Sequence, residues 1–165
     1  MYDIIADRVL VKKNKSSSTE ANTKSGLVIL GTGLDCAKLS NAIVQHSRVR
    51  FKEIVFILSN NELTRTKLCQ SSKVEDLTKS LTVRKRNAKY MKGGIFFVTE
   101  VIFYFDLYEK NFDAKDLKKL IILDRSDVDS ISPLSAAVTK LKMENPVRPI
   151  RLPFFRSAHG PSRCR

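Results

Sequence analysis

The fold of this chain is decided by the stretch GLVILGTGLDCAK at residues 26–38. An apolar run at 26–30 leads into a glycine turn, and Asp35 then stands where a helix cap is expected. This order is typical of the strand, turn and helix start of a P-loop. A working loop counted from Gly31 needs glycine, lysine and then serine or threonine at positions 36, 37 and 38. The chain has Cys, Ala and Lys there, so the framework is predicted without the groups that hold phosphate and magnesium.

A second apolar run supports the same interpretation. The letters LIIL at 120–123 are followed by DRSD at 124–127. In a motor protein, the acidic box at this place carries a glutamate in second position, which orients the attacking water. Arg125 occupies that position and reverses the charge. We therefore predict a motor-like fold that does not turn over ATP and needs no cofactor, with Asp124 and Asp127 as a helix cap and a local ion pair rather than a metal site.

Composition limits the class of protein. The chain has 165 residues, 42% of them apolar, which suits one soluble domain, and we expect no membrane span and no secretory signal. Its three cysteines are odd in number and widely spaced, which argues against a disulfide framework and against a zinc site. Neither histidine, His46 or His159, stands at a recognisable catalytic spacing, so we assign them no role.

The formal charge of +13 is large for this length. Its commonest meaning is an anionic partner such as nucleic acid. The alternative is a basic protein whose lysines are only solvated.

Apolar runs alternate with polar segments that are compatible with helices, which predicts an α/β fold with a mostly parallel sheet. Residues 101–109 could extend a strand, but a helix after Thr99 suits the crossover between parallel strands better. We predict strands near 27–31, 54–58, 95–98 and 120–123, and helices at 35–46, 60–70, 101–109 and 131–144.

Two segments are predicted to be irregular. The polar stretch at 12–25 reads as a flexible loop or an insertion. The segment 146–165 contains four prolines and five arginines but no acid, so we expect neither a regular helix nor a central strand in it. The predicted organisation is a helicase-like lobe at 1–145 and an irregular tail at 146–165. So few strands indicate an incomplete domain: one lobe of something larger, or a truncated product.

The pieces in this order resemble the first helicase-like lobe of XPF, the large subunit of a structure-specific endonuclease of nucleotide excision repair. The resemblance spans about 26–145 and is most specific at 90–107, where two glycines, an apolar run with Thr99, and Asp106-Leu107 match in type and spacing. It is carried by GLVILGTGL at 26–34, IVFILSN at 54–60, GGIFFVT at 93–99, FDL at 105–107 and LIILD at 120–124.

The resemblance implies an incomplete RecA-like lobe that has lost ATPase chemistry and serves DNA binding and protein docking in the nucleus. The family's nuclease centre has a Glu-Arg-Lys core, and this triplet is absent from the chain. We therefore expect no catalytic and no metal-binding residue here, and whether the chain has any enzyme activity stays open. The expected partners are DNA at junctions of single strand and duplex, and repair scaffold proteins. The smaller nuclease subunit is not expected to bind this segment.

The best candidates for DNA contact lie in the segment RKRNAKYMK at 84–92, which we predict to be a loop. Cations there could pair with phosphates while an aromatic ring stacks on an unpaired base. The same pattern also fits a solvated loop or a weak nuclear-localisation patch. Lys38 is better explained as a helix-surface lysine than as a phosphate ligand. The predicted DNA-binding residues are Arg84, Lys85, Arg86, Lys89, Tyr90 and Lys92.

Three alternatives stay open at this point. The chain could be a fragment of an ATP-dependent helicase, which ATP binding at Lys38 would support. It could be a small basic RNA-binding protein, which a fold without a parallel sheet would favour. It could also be an eroded product with little activity of its own, which stable cooperative folding would count against.

Overall fold

The computed structural model describes residues 26–30, 35–45, 49–71, 73–79, 82–123, 132–144 and 153–157. At 26–30, 36–37, 71 and 153–157 it describes the backbone alone. The predicted polar loop at 12–25, the glycine turn at 31–34 and the acidic box at 124–127 lie outside these ranges.

Parallel strands alternate with helices along the described chain. The order is β1 (Gly26–Leu30), α1 (Cys36–Gln45), β2 (Ile54–Leu58), α2 (Glu62–Ser71), β3 (Val74–Asp76), α3 (Val83–Tyr90), β4 (Gly94–Val98), α4 (Glu100–Tyr108), a 3-10 turn (Ala114–Asp116), β5 (Leu117–Ile122), α5 (Pro133–Glu144) and β6 (Pro153–Ser157).

The six described strands form one sheet in the order β1-β6-β5-β2-β4-β3, and every neighbouring pair is parallel. The chain moves outward from β1 to β3 and then returns through β4 and β5 to β6. Because crossovers between parallel strands are right-handed, a reversal of direction moves the connecting helices to the other face of the sheet. Helices α1 and α2 therefore cover one face, and α3, α4 and α5 cover the other.

Alternation along β2 shows how the sheet divides the core. Phe56 faces the cluster that also contains Phe103 and Leu134 of the α3–α5 side. Its neighbour Val55 faces the second cluster, with Leu39 of α1. Both clusters are buried, and β2 is buried at every position, as a strand covered by helices on both faces should be.

The α/β class with a parallel sheet is confirmed. Each predicted strand and helix has a counterpart whose bounds differ by at most a few residues. The helix predicted at 101–109 forms as α4, capped by the Thr99 side chain, so the alternative of an extended strand is wrong. The short strand β3 and the helix α3 were not predicted.

The prediction of an irregular segment at 146–165 is wrong at 153–157. These residues form β6, which lies between β1 and β5 in the sheet. The physical reason is the position of Pro153, which is the first residue of the strand. A proline there leaves most of the strand free to pair. How the rest of the tail folds stays a prediction.

Gly93 holds the turn between α3 and β4 against the turn before β2. It has a φ of +76°, and a Cβ built on it would lie 2.8 Å from the Glu53 carbonyl oxygen and from the Lys52 nitrogen. Both neighbours are backbone atoms, so a side chain at this position would displace the main chain.

We expect Gly93→Ala to lower the free energy of unfolding by at least about 2 kcal/mol, since strain from the positive φ adds to the backbone clash. Urea denaturation measures this change. Lys92→Ala is the matched control, because it alters an exposed side chain of the same turn and should change stability by less than about 0.5 kcal/mol. Equal midpoints for the two variants would contradict this account of the turn.

Candidate nucleic-acid interface

The carboxyl end of β1 is where a P-loop fold would hold a nucleotide phosphate. In this chain a carboxylate of its own lies at the N-terminus of α1. Asp35 Oδ1 accepts a hydrogen bond from the Lys38 backbone N–H at 3.4 Å, and Asp35 Oδ2 lies 3.3 Å from Lys67 Nζ of α2. The Lys38 side chain points into solvent. In a nucleotide-bound P-loop, the phosphate supplies the negative charge at this place. In the described part of this chain, the Asp35 carboxylate supplies it.

Helix α3 is tied to α4 by one buried carboxylate. Asp106 is 1% exposed, and its oxygens accept hydrogen bonds from Arg86 Nε at 2.8 Å and Arg86 Nη2 at 2.7 Å. The Tyr90 hydroxyl donates to Asp106 Oδ2 at 2.7 Å, and the Asn111 amide donates to Oδ1 at 2.8 Å. We call these four residues the Asp106 cluster.

Electrostatics within the Asp106 cluster keep Arg86 charged and Tyr90 neutral. The hydrogen bond to Asp106 raises the pKa of Arg86, which partial burial alone would lower. Burial raises the pKa of Tyr90, and the adjacent Asp106 charge raises it further. Tyr90 therefore stays a neutral donor and Arg86 a cation at any physiological pH. The cluster acts as a structural anchor.

The structure corrects the predicted roles of two site residues. The segment 84–92 is mostly helix α3 rather than a loop. Tyr90 is only 2% exposed, so its ring cannot stack on an unpaired base. The Arg86 side chain is directed into the Asp106 cluster and not toward a phosphate. The residue types gave no sign of these contacts, because Asp106 lies 16 residues beyond Tyr90 and 20 residues beyond Arg86.

The remaining four predicted residues lie on the surface. Lys89 forms an ion pair with Glu75 of β3. Arg84, Lys85 and Lys92 are exposed, and within the described residues their side chains make no ion pair or hydrogen bond. DNA contact by these three stays a prediction, and the structure leaves them available for it.

A neighbouring surface was missed by the sequence analysis. The turn before β2 and the turn before β4 lie side by side, with the Lys52 N–H donating to the Lys92 carbonyl at 3.4 Å. Together the two turns expose Arg50, Phe51, Lys52, Met91 and Lys92. We call these five residues the amino-edge patch. The run RFK at 50–52 is the only sequence signal for it, and it is too short to stand out.

Two kinds of feature are absent from the described residues. They contain no group of three or more His, Cys, Asp or Glu side chains that could hold a metal ion. Nor do they include a helix with the length and apolarity needed to cross a lipid bilayer.

Comparison with known proteins identifies the class of fold. The chain has an α/β fold like that of a helicase domain, with the parallel sheet of a RecA-like lobe. It is similar to the solved structure of the Hef helicase domain from Pyrococcus furiosus, with a TM-score of 0.65 and 12% sequence identity. The match covers 98% of this chain and 33% of that one, so this chain spans about a third of the solved helicase domain.

At this identity the likeness shows the fold alone. No protein-family profile and no curated protein matches the sequence.

Proposed function

We propose that this chain is the non-catalytic, helicase-like part of a structure-specific DNA repair endonuclease of the XPF type, and that it contributes DNA binding and protein docking. The helicase-like fold and the formal charge of +13 support the proposal. The observation that carries it is the pair of exposed cations, Arg84 and Lys85, on a helix that the Asp106 cluster anchors.

The anchor fixes where these cations lie. Helix α3 has one buried residue, Tyr90, at its C-terminal end, and the partly buried Arg86 also binds inward. Arg84 and Lys85 stand in the first turn, with their side chains in solvent. A backbone held in this way can present side chains to phosphates at fixed spacing, which positions a duplex or single strand without reading its sequence.

Acidic side chains near α3 do not cancel this charge. Glu75 is paired with Lys89. Asp76 accepts hydrogen bonds from Thr78 and lies 3.6 Å from Arg65 Nε. These two carboxylates of β3 are therefore occupied, and the exposed charges of Arg84 and Lys85 can attract a polyanion.

The proposal assigns no catalytic residue, metal or cofactor to this chain. Its partners would be DNA at junctions of single strand and duplex, together with repair scaffold proteins, in the nucleus. Cleavage would require a nuclease domain that carries the family's Glu-Arg-Lys core.

The rival functions lose support from two observations. An ATP-dependent helicase fragment would need a free phosphate site at the start of α1, where Asp35 binds Lys38 and Lys67. A fold without a parallel sheet would favour the RNA-binding alternative. The described sheet is parallel throughout, so this alternative loses support.

We expect the double variant Arg84→Ala/Lys85→Ala to bind forked DNA about tenfold or more weakly near physiological salt, because two phosphate contacts are lost. Fluorescence anisotropy over a salt series measures the affinity. The slope of log affinity against log salt should become shallower by about one unit for each cation removed. Arg86 is left intact, since its removal would unpair Asp106 and confuse folding with binding.

The matched control is Lys115→Ala/Lys142→Ala, which removes the same charge from exposed positions on other elements. It should bind DNA nearly as the wild-type chain does. Forked, single-stranded and duplex DNA are compared with and without ATP and magnesium. Absence of binding by the wild-type chain, equal losses in both double variants, or binding that ATP controls would each overturn the proposal.

A further inference from the structure

We propose that the amino-edge patch is a second contact site, which binds single-stranded nucleic acid by stacking a base on Phe51 while the surrounding cations pair with phosphates. The inference rests on the proposed function in its choice of ligand class. The amino-edge patch is a different site from the Arg84 and Lys85 pair. Arg84 lies in the first turn of α3, and Lys92 follows the end of that helix, about 12 Å away along its axis.

The backbone of the patch is locked. Lys52 has a φ of 67°, a left-handed conformation that a residue with a side chain seldom adopts. The Gly94 N–H donates to the Glu53 carbonyl at 2.9 Å, and the Lys52 N–H donates to the Lys92 carbonyl. These turns lead into β2 and β4, which are neighbours in the sheet. The patch is therefore held in one arrangement before any ligand arrives, which lowers the entropic cost of binding.

Two large apolar side chains of the patch face solvent. Phe51 is 78% exposed and Met91 is 62% exposed. The Lys52 ammonium lies 5.9 Å from the centre of the Phe51 ring, near the outer limit of a cation–π contact. The ring is thus open to a flat ligand, and a nucleic-acid base offers a π-face of the matching kind.

Charge favours a polyanion as the occupant. Within the described residues, Arg50, Lys52 and Lys92 use no side-chain nitrogen in an ion pair or hydrogen bond. The acid of these turns, Glu53, binds inward to Lys118 and to the Arg50 backbone N–H. Burial would raise the pKa of Glu53, but these hydrogen bonds and the nearby positive charges outweigh it and lower the pKa. Glu53 is therefore ionised and neutralised internally.

Each part of this surface matches one part of a single strand. Aromatic side chains flanked by cations are the means by which proteins bind unpaired bases without sequence preference. A duplex hides its base faces, so it could use the three cations but not the ring. The patch is expected to prefer oligo-dT over duplex of equal charge.

A tryptophan reporter tests the proposal directly, because the natural chain contains no tryptophan. Phe51→Trp places one at the patch. Leu63→Trp is the control, because Leu63 is 74% exposed and lies in the first turn of α2, at the carboxyl ends of the strands and away from the patch. We expect oligo-dT to quench the emission of the Phe51→Trp chain and to leave that of the Leu63→Trp chain unchanged. An abasic strand of equal length should quench neither.

Affinity gives the second measurement. Phe51→Ala should weaken binding of oligo-dT by about 5- to 150-fold, the range seen when a stacking aromatic is removed. It should weaken binding of the abasic strand by much less. An unquenched Phe51→Trp chain, an unchanged affinity of Phe51→Ala, or equal quenching by polyglutamate would overturn the inference while DNA binding through Arg84 and Lys85 stands. Absence of any nucleic-acid binding by the wild-type chain would overturn both.

Discussion

Replacement of Asp106 by alanine is expected to lower the free energy of unfolding by about 3–5 kcal/mol, the cost of removing one partner from a buried ion pair. The Arg86 side chain, which is only 12% exposed, would lose the carboxylate that accepts two of its hydrogen bonds. The Tyr90 hydroxyl and the Asn111 amide would each lose an acceptor. Urea denaturation followed by circular dichroism measures the loss.

Glu75→Gln is the control for this prediction. It also removes a carboxylate that pairs with a cation of α3, but this ion pair is on the surface and should contribute no more than about 1 kcal/mol. The double variant Asp106→Leu/Arg86→Met should recover part of the stability, because neither charge is then left alone. Similar losses for Asp106→Ala and Glu75→Gln would show that α3 is not anchored by the Asp106 cluster.

Phe56→Ala is expected to cost about 3–5 kcal/mol, as removal of a large aromatic side chain from a core does. Phe56 is fully buried in the centre of β2. Its ring centre lies 5.0 Å from that of Phe112, 5.3 Å from that of Phe103 and 5.4 Å from that of Tyr90. The ring thus joins the sheet to α3, to α4 and to the segment after α4, so the cavity left by alanine has walls on three elements.

The chain supplies its own control for this substitution. Phe51→Ala makes the same chemical change at a site that is 78% exposed, and it should alter stability by less than about 0.5 kcal/mol. Comparable urea midpoints for the two variants would contradict the assignment of Phe56 to the core. The same measurement also establishes that Phe51→Ala is folded when its nucleic-acid affinity is tested.

The buried strands were predictable because each is a short run of apolar residues, as burial on both faces of a sheet requires. The run IVFIL at 54–58 is apolar at every position, and in the structure every position of β2 is buried. A strand with helices on both faces has no polar side, so length and residue type suffice to identify it. Helix α4 was predicted from the crossover between parallel strands, and in the structure the Thr99 hydroxyl caps it by accepting a hydrogen bond from the Ile102 N–H.

Helix α3 was not predicted because its sequence is mostly polar and charged and contains only one buried residue. The letters VRKRNAKY contain four cations, and only Tyr90 is buried. No apolar period is visible in such a segment, and the hydrogen bonds that tie it to α4 are those of the Asp106 cluster. A carboxylate that is distant in sequence cannot be assigned as a partner from residue types alone. The predicted site therefore kept its exposed members, Arg84, Lys85 and Lys92, and lost Arg86 and Tyr90 to the interior.

The sheet order has a consequence for how the chain acquires its fold. Among the described strands, β1 has β6 as its sheet neighbour, and residues 31–152 separate the two in sequence. Among the described strands, β1 therefore has no sheet partner until residues 153–157 have been synthesised. Closing so long a loop is slow, because its entropic cost comes before any contact repays it. Synthesis thus leaves β2, β4 and β5 free to assemble first, with β1 and β6 completing the sheet as a late step.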